Sequence, residues 1–362
     1  MSWWLRSAAA VLGRRVFAST IEGNGPNGTE YYVTITVQSA EVDAALTDFP
    51  VYVSLANAPA AFWTNVQSDG GDIRVTESDG TTRCPVDLVS IDTTGETGEL
   101  HFLASSLSAS ANTVFRVYYG KTGGGLSQPA VTGTYGRNAV WADYLAVWHM
   151  DSFVDATGNG NTLEASGTVG SSAGKLAGTS GFDTASNTGH WRTVDTGLFS
   201  GITSATISGW SRYSSNRGIQ GGYVAARPFN TSTHFLQVQH REESLFRAIF
   251  SDASTETFKN AALPAQNTWF MWHGRYSSTG SSTVVNGGAE IASETITMGT
   301  INANHRITFG TYWDDAATRR LRGALDEIRL TTTVLSNDWI AAEYSNQNTP
   351  TTFYSVGTQQ SA

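Results

Sequence analysis

The stretch Leu321–Gly357, LRGALDEIRLTTTVLSNDWIAAEYSNQNTPTTFYSVG, decides how this chain is read. Its run Glu327–Leu330, alternating charged and apolar residues, predicts a strand. Alternate residues of a strand share a face, which sets Asp326 with Ile328 and Leu330 on the inner side and Glu327 with Arg329 on the other. Ser336–Tyr344 predicts a short helix, because Ser336 can accept a bond from an orphan amide and Asp338 lies near the positive end of the helix dipole. Pro350 stops anything longer. An inward carboxylate at Asp326 requires a cation or several backbone N–H donors, since an unpaired buried charge is very costly.

Working outward from this stretch, the signal is β almost throughout. Short runs rich in β-branched and aromatic residues recur at Tyr31–Val37, Val51–Leu55, Ile73–Thr76, Val86–Ile91, Leu100–Leu103 and Thr113–Tyr119. Asp79-Gly80 predicts a two-residue type I′ hairpin between the third and fourth runs. Lys121–Arg137 has linker composition, and from about Asn138 a second series of strands begins, including Leu145–Met150, Ala205–Arg212, Leu245–Phe250 and Thr268–Tyr276. Leu5, Ala8, Ala9, Leu12 and Val16 fall at helical spacing and predict a short amphipathic helix near the N-terminus. The expected division is a helix or anchor in 1–22, a small β-sandwich in 30–120, a linker in 121–137 and one large sandwich in 138–362.

Composition narrows the function classes. Of 362 residues, 15% are charged, and 22 basic against 31 acidic residues leave a net charge of −9. Such a chain has no field to attract phosphates, so nucleic acid is not an expected partner. No run approaches the apolar length of a membrane helix, and membrane insertion is not expected. The N-terminal segment lacks the pattern of a signal peptide, since Arg14-Arg15 follow a short apolar run. One cysteine, Cys84, excludes a disulfide framework and any cysteine-based zinc or iron–sulfur site.

AVWHMDSFVDATGNGNTL (Ala146–Leu163), SATISGWSRY (Ser204–Tyr213), TWFMWHGRYSS with the hairpin VVNGG (Val284–Gly288), and the closing stretch together resemble the concanavalin A-like, laminin G-type superfamily. That resemblance implies an all-β jelly roll. The preceding region, from FPVYVSLANAPAAFWTNV to TVFRVYYGK, is similar to an uncharacterised β domain often paired with such modules in bacterial surface proteins and phage virion proteins. Glycosidases of the jelly-roll type carry Glu-x-Asp-x-x-Glu on one strand, and no such string occurs here. The expected fold is therefore an N-terminal β-sandwich followed by a concanavalin A-like jelly-roll sandwich, with a short N-terminal helix and no enzymatic activity.

Two sites stand out. Oxygen-bearing side chains at Asp155, Thr157, Asn159 and Asn161, with Gly160 in the sixth position, fit either a calcium loop or a tight turn whose polar side chains bond their own backbone. Asp326 is expected to fasten the closing strand to this loop, directly or through Ca2+. Sugars pack C–H faces on flat rings while amides, carboxylates and arginines bond their hydroxyls. Tyr312, Trp313, Asp314, Asp315 and Arg319, with Trp191, form the candidate carbohydrate site. GSSAG at Gly170–Gly174 and GNGPNG at Gly23–Gly28 match catalytic and nucleotide motifs without the surrounding elements those motifs need.

The resulting expectation is a non-enzymatic virion component of a tailed phage, a fibre or receptor-binding decoration, that recognises host cell-surface polysaccharide. Its N-terminal segment is expected to dock onto other virion proteins, and the chain is expected to form a homo-oligomer. The alternatives are an extracellular or bacterial cell-surface adhesin, and a purely structural virion protein.

Overall fold

In a computed structural model, the described residues are 25–176, 179–180, 189–214, 220–226, 235–241, 244–252, 254–292, 297–303, 305–312 and 319–362. The helix expected near the N-terminus lies outside them. The fold is all-β, as expected: two sandwiches of antiparallel sheets with one helix of three turns wedged between them.

The first sandwich comprises β1 (Tyr31–Val37), β2 (Leu46–Ser54), β3 (Arg74–Glu77), β4 (Arg83–Cys84), β5 (Val86–Asp92), β6 (Thr97–Leu107) and β7 (Thr113–Tyr119). One sheet runs β1-β7-β3-β4 and the other β2-β6-β5. The sequence alternation carries straight into packing, with Val33, Ile35 and Val37 of β1 buried and their neighbours half-buried. Between β3 and β4, Gly80 has a positive φ and Asp79 does not, so the turn is not type I′. Asp79 instead accepts hydrogen bonds from the amides of Thr81 and Thr82 across a longer loop. The glycine-rich segment 121–137 is laid along this sandwich: Gln67 and Arg74 donate to the carbonyls of Leu126 and Ser127, and Arg83 lies 4.2 Å from the Tyr135 ring centre.

The chain's end also belongs to the first sandwich. Tyr354–Val356 pairs with β1 over Ile35–Val37, Gln360–Ser361 pairs with Tyr31 and Tyr32, and Ala342, Phe353 and Tyr354 enter its core. The division at 138–362 is corrected accordingly, because β1 leaves one edge open and the tail completes it.

The second sandwich faces an eight-stranded sheet, including His190–Thr193, Gln220–Ala226, Phe235–Arg241, Leu245–Ser251 and Thr308–Phe309, against a six-stranded one. In the latter the order of main strands is Gly280–Val285, Phe270–Ser277, Ala205–Tyr213, Gly323–Thr331 and Ala146–Trp148. The pairing of Ala205–Tyr213 with Gly323–Thr331 contains a β-bulge: Ser208 opposes Arg329 and Trp210 opposes Asp326, so Gly209 alone faces Glu327 and Ile328. Glu327 takes φ +50°, and a Cβ on Gly209 would meet Ile328 Cδ1 at 2.3 Å. The bulge overturns the expected facing of Asp326. Leu325, Ile328 and Leu330 enter the second core, whereas Asp326, Glu327 and Arg329 turn away from it.

His240 shows how tightly the second core is closed. Its ring is buried, with Nδ1 3.2 Å from the Tyr223 hydroxyl, and burial pushes its pKa down to about 4. The folded chain holds the neutral ring, so the associated stability is complete above the ordinary value of 6.5 and is lost as pH falls toward 4. That window corresponds to about 3 kcal/mol. Thermal unfolding between pH 7 and pH 4 should therefore show a steeper fall in Tm for the native chain than for His240→Gln, and parallel curves would refute the assignment.

Candidate functional site

The densest group of ionisable side chains lies where the two sandwiches meet. β6 alternation sends Glu99 and His101 to one face, and β5 adds Asp87. From the second sandwich come His149, just after Ala146–Trp148, and Glu327 and Arg329, redirected by the bulge. All six are less than a tenth exposed. Glu327 is the hub: it accepts from His149 Nδ1 at 2.5 Å and from Arg329 at 2.6 Å, and lies 3.8 Å from His101 Nε2. His101 Nε2 is 2.9 Å from Glu99, and His149 Nδ1 is 3.8 Å from Glu99. The other nitrogen of His149 lies 3.1 Å from Asp87, whose carboxylate also accepts from Trp141 Nε1 at 2.7 Å.

Electrostatics sort these groups. Burial raises the Glu99 carboxyl well above its ordinary range, with the Glu327 charge adding to the effect. Burial opposes ionisation of Glu327 as well, but His149 and Arg329 outweigh it and hold this carboxyl well below its usual range. Burial likewise works against the charged His149 ring, yet Glu327 and Asp87 raise its pKa well above the ordinary value. For His101 burial outweighs the nearby Glu327 and Asp87 charges and pushes its pKa down to about 3.

The helix Asn337–Asn348 extends the network. Ser336 caps it by accepting from the Trp339 amide at 3.1 Å. Glu343 meets His273 at 2.8 Å and Arg329 at 2.7 Å, while Gln347 accepts from Trp210 Nε1 at 2.6 Å. On the opposite flank Asn346 bonds both the amide and the carbonyl of Tyr52 in β2, at 2.8 and 2.9 Å. One helix thus links both bodies through buried polar groups. Beside it opens a cleft of about 370 Å3, where Lys175 Nζ is 3.0 Å from Asn348 Oδ1 and 4.6 Å from the Trp210 ring centre.

Asp155 and Asp326 are held by separate shells. Asp155 accepts from the amides of Val147, Thr157 and Asn161 and from the side chains of Thr157 and Asn161, at 2.8–3.2 Å. Thr157 Oγ1 accepts from the Asn159 amide, and Asn159 Nδ2 donates to the carbonyls of Tyr144 and Leu145. These bonds describe the tight turn, with donors already aimed at the carboxylate that a calcium ion would need. Asp326 does not reach this loop. Its carboxylate accepts from the amides of Lys175 and Leu176, at 2.6 and 3.0 Å, and burial followed by repulsion from Glu327 raises its pKa to about 7.

The candidate carbohydrate cluster is changed in content. Trp313, Asp314 and Asp315 lie outside the described residues. Tyr312 is buried, and the Arg319 guanidinium stands 5.0 Å from its ring centre, over the face a sugar would use. Trp191 lies on His190–Thr193 and packs into the second core. Phe153, which sequence reasoning passed over, packs edge-on against it at 5.0 Å and is 40% exposed. Val154 and Val194 are similarly exposed. On the outer face of His190–Thr193, Arg192 bonds Glu164 of the neighbouring strand Leu163–Ser166 at 2.9 Å, and Arg306 joins the same carboxylate.

No family model matches this chain, and no curated protein matches it. Among solved structures it is similar to domain 4 of an extracellular GH43 arabinanase from Geobacillus stearothermophilus in complex with arabinotriose, at 17% identity and TM-score 0.45, over 55% of this chain and 97% of that one. It is also similar to the binding domains of the Paraclostridial mosquitocidal protein 1, at 16% identity and TM-score 0.46, and of botulinum neurotoxin serotype D, at 14% and 0.43. These alignments cover 56–57% of this chain and about half of each toxin domain, 52% and 51%.

Removing one partner of a buried ion pair leaves the other charge uncompensated, which costs about 3–5 kcal/mol. Arg329→Met should lower unfolding stability by that amount in urea titrations, because it strands both Glu327 and Glu343. A loss below 1 kcal/mol would show that the junction does not depend on this pairing.

Proposed function

We propose that this chain is a non-catalytic, glycan-recognising module of concanavalin A-like kinship, carried on a tailed-phage particle. The observation that carries the recognition reading is the half-exposed Phe153 ring braced edge-on by buried Trp191. A fixed aromatic ring offers a sugar an apolar platform at little entropic cost. The non-catalytic reading rests on burial. Asp87, Glu99, Asp326, Glu327 and Glu343 are all closed off at the junction, where a polysaccharide cannot present a glycosidic bond to an acid and base pair. Placement on a particle extends the sequence resemblance, and antibody labelling of the native source in negative stain tests it directly.

Binding of host surface polysaccharide, measured by titration calorimetry, should weaken about tenfold in Phe153→Ala, the scale of one aromatic contact. The thermal stability of that variant should be nearly unchanged, since the ring is largely outside the core. Unaltered affinity would remove Phe153 from the site, and a native chain that binds no glycan on an array would overturn the recognition reading itself.

A further inference from the structure

We propose that Glu99, His101, His149 and Glu327 form a buried site for one divalent transition-metal ion of the zinc class, clamping the two sandwiches together. The inference is independent of glycan binding and rests on four ligand atoms, one from each residue, that lie within 4.8 Å of one another.

The donor set is two imidazole nitrogens and two carboxylate oxygens, which suits zinc and its neighbours and does not suit calcium or magnesium. A tetrahedral ion bonded at about 2.0–2.2 Å places its ligands roughly 3.3–3.6 Å apart. The separations here straddle that value: 2.9 Å for His101 Nε2–Glu99 Oε1, 2.5 Å for His149 Nδ1–Glu327 Oε1 and 3.8 Å for His149 Nδ1–Glu99 Oε1, with every pair within 4.8 Å. Opening the two short edges and drawing the longer ones in by no more than about 1.5 Å brings the four donors to tetrahedral spacing.

The surroundings are those of a ligand shell. A metal-binding histidine usually donates its far nitrogen to a carboxylate, which fixes the ring and its tautomer. His149 does this toward Asp87, and Asp87 is itself oriented by Trp141 Nε1. On the other side Arg329 holds one oxygen of Glu327 and leaves the other toward His149. Charge points the same way. Arg329 is shared between Glu327 and Glu343, so the buried carboxylates outnumber it, and a dication balances Glu99 and Glu327 where bound protons otherwise must. All four ligands are buried, and none of the geometry reserves a position for water or substrate, so the ion's role is structural.

Native chain stripped with a chelator and titrated with Co2+ tests the proposal. The expected result is one Co2+ per chain with the intense visible bands of tetrahedral coordination, displacement of that ion by Zn2+, and a higher Tm on adding Zn2+ alone. Asp87→Asn, which touches no ion, should weaken Co2+ binding about 10–100-fold. If that variant does not fold, the native titration decides alone. No bound Co2+, or only the pale spectrum of octahedral surface binding, would overturn the site, as would an affinity unchanged in folded Asp87→Asn.

Discussion

The structure depends on keeping the Glu327 carboxylate ionised in a dry junction. Taken alone, such a charge would cost more than the fold can supply. Its neighbours resolve this: Arg329 from the same strand and His149 from the adjacent one converge on its two oxygens. The convergence exists because of one extra residue in one strand. Without the bulge at Glu327, strand alternation would send the carboxylates at 326 and 327 to opposite faces, one of them into the apolar core between Leu325 and Ile328. The bulge lets both face the first sandwich while the leucine and isoleucine face the second.

The C-terminal segment completes what the junction begins. After the closing strand, the helix Asn337–Asn348 presents Trp339 and Ala342 to the first core, Ile340 to Val284 of the second sandwich, and Glu343, Asn346 and Gln347 to polar partners on both sides. A helix with buried positions around most of its circumference need not be amphipathic, because it has little solvent face. The chain then returns to the edge of β1, so the first sandwich is closed by the last residues. The two sandwiches are therefore consecutive in sequence only in part, and each borrows a strand, a helix face or a charge from the other.

Much of the fold was legible in the chain. The β class, the strands at Tyr31–Val37 and Thr113–Tyr119, and the helix opening at Ser336 followed from local pattern and capping chemistry, which act over a few residues. The facing of Asp326 was not legible, because a bulge is a property of two strands and of the glycine opposite it. The tail's return to β1 was equally hidden, since nothing local distinguishes Tyr354–Val356 from a strand of the nearer sandwich. The burial of Trp191 was hidden too, since its packing against Phe153 comes from a separate loop. The junction cluster escaped notice because its members come from four separate segments. Its one local sign was Glu99-Leu100-His101, two ionisable residues two apart on a strand in an otherwise weakly charged chain.

If buried polar groups join the sandwiches this completely, neither should persist after the other is lost. Differential scanning calorimetry of residues 25–362 measures this most directly. The account requires one transition whose calorimetric and van't Hoff enthalpies agree; two resolved transitions, with one sandwich surviving the melting of its neighbour, would contradict it.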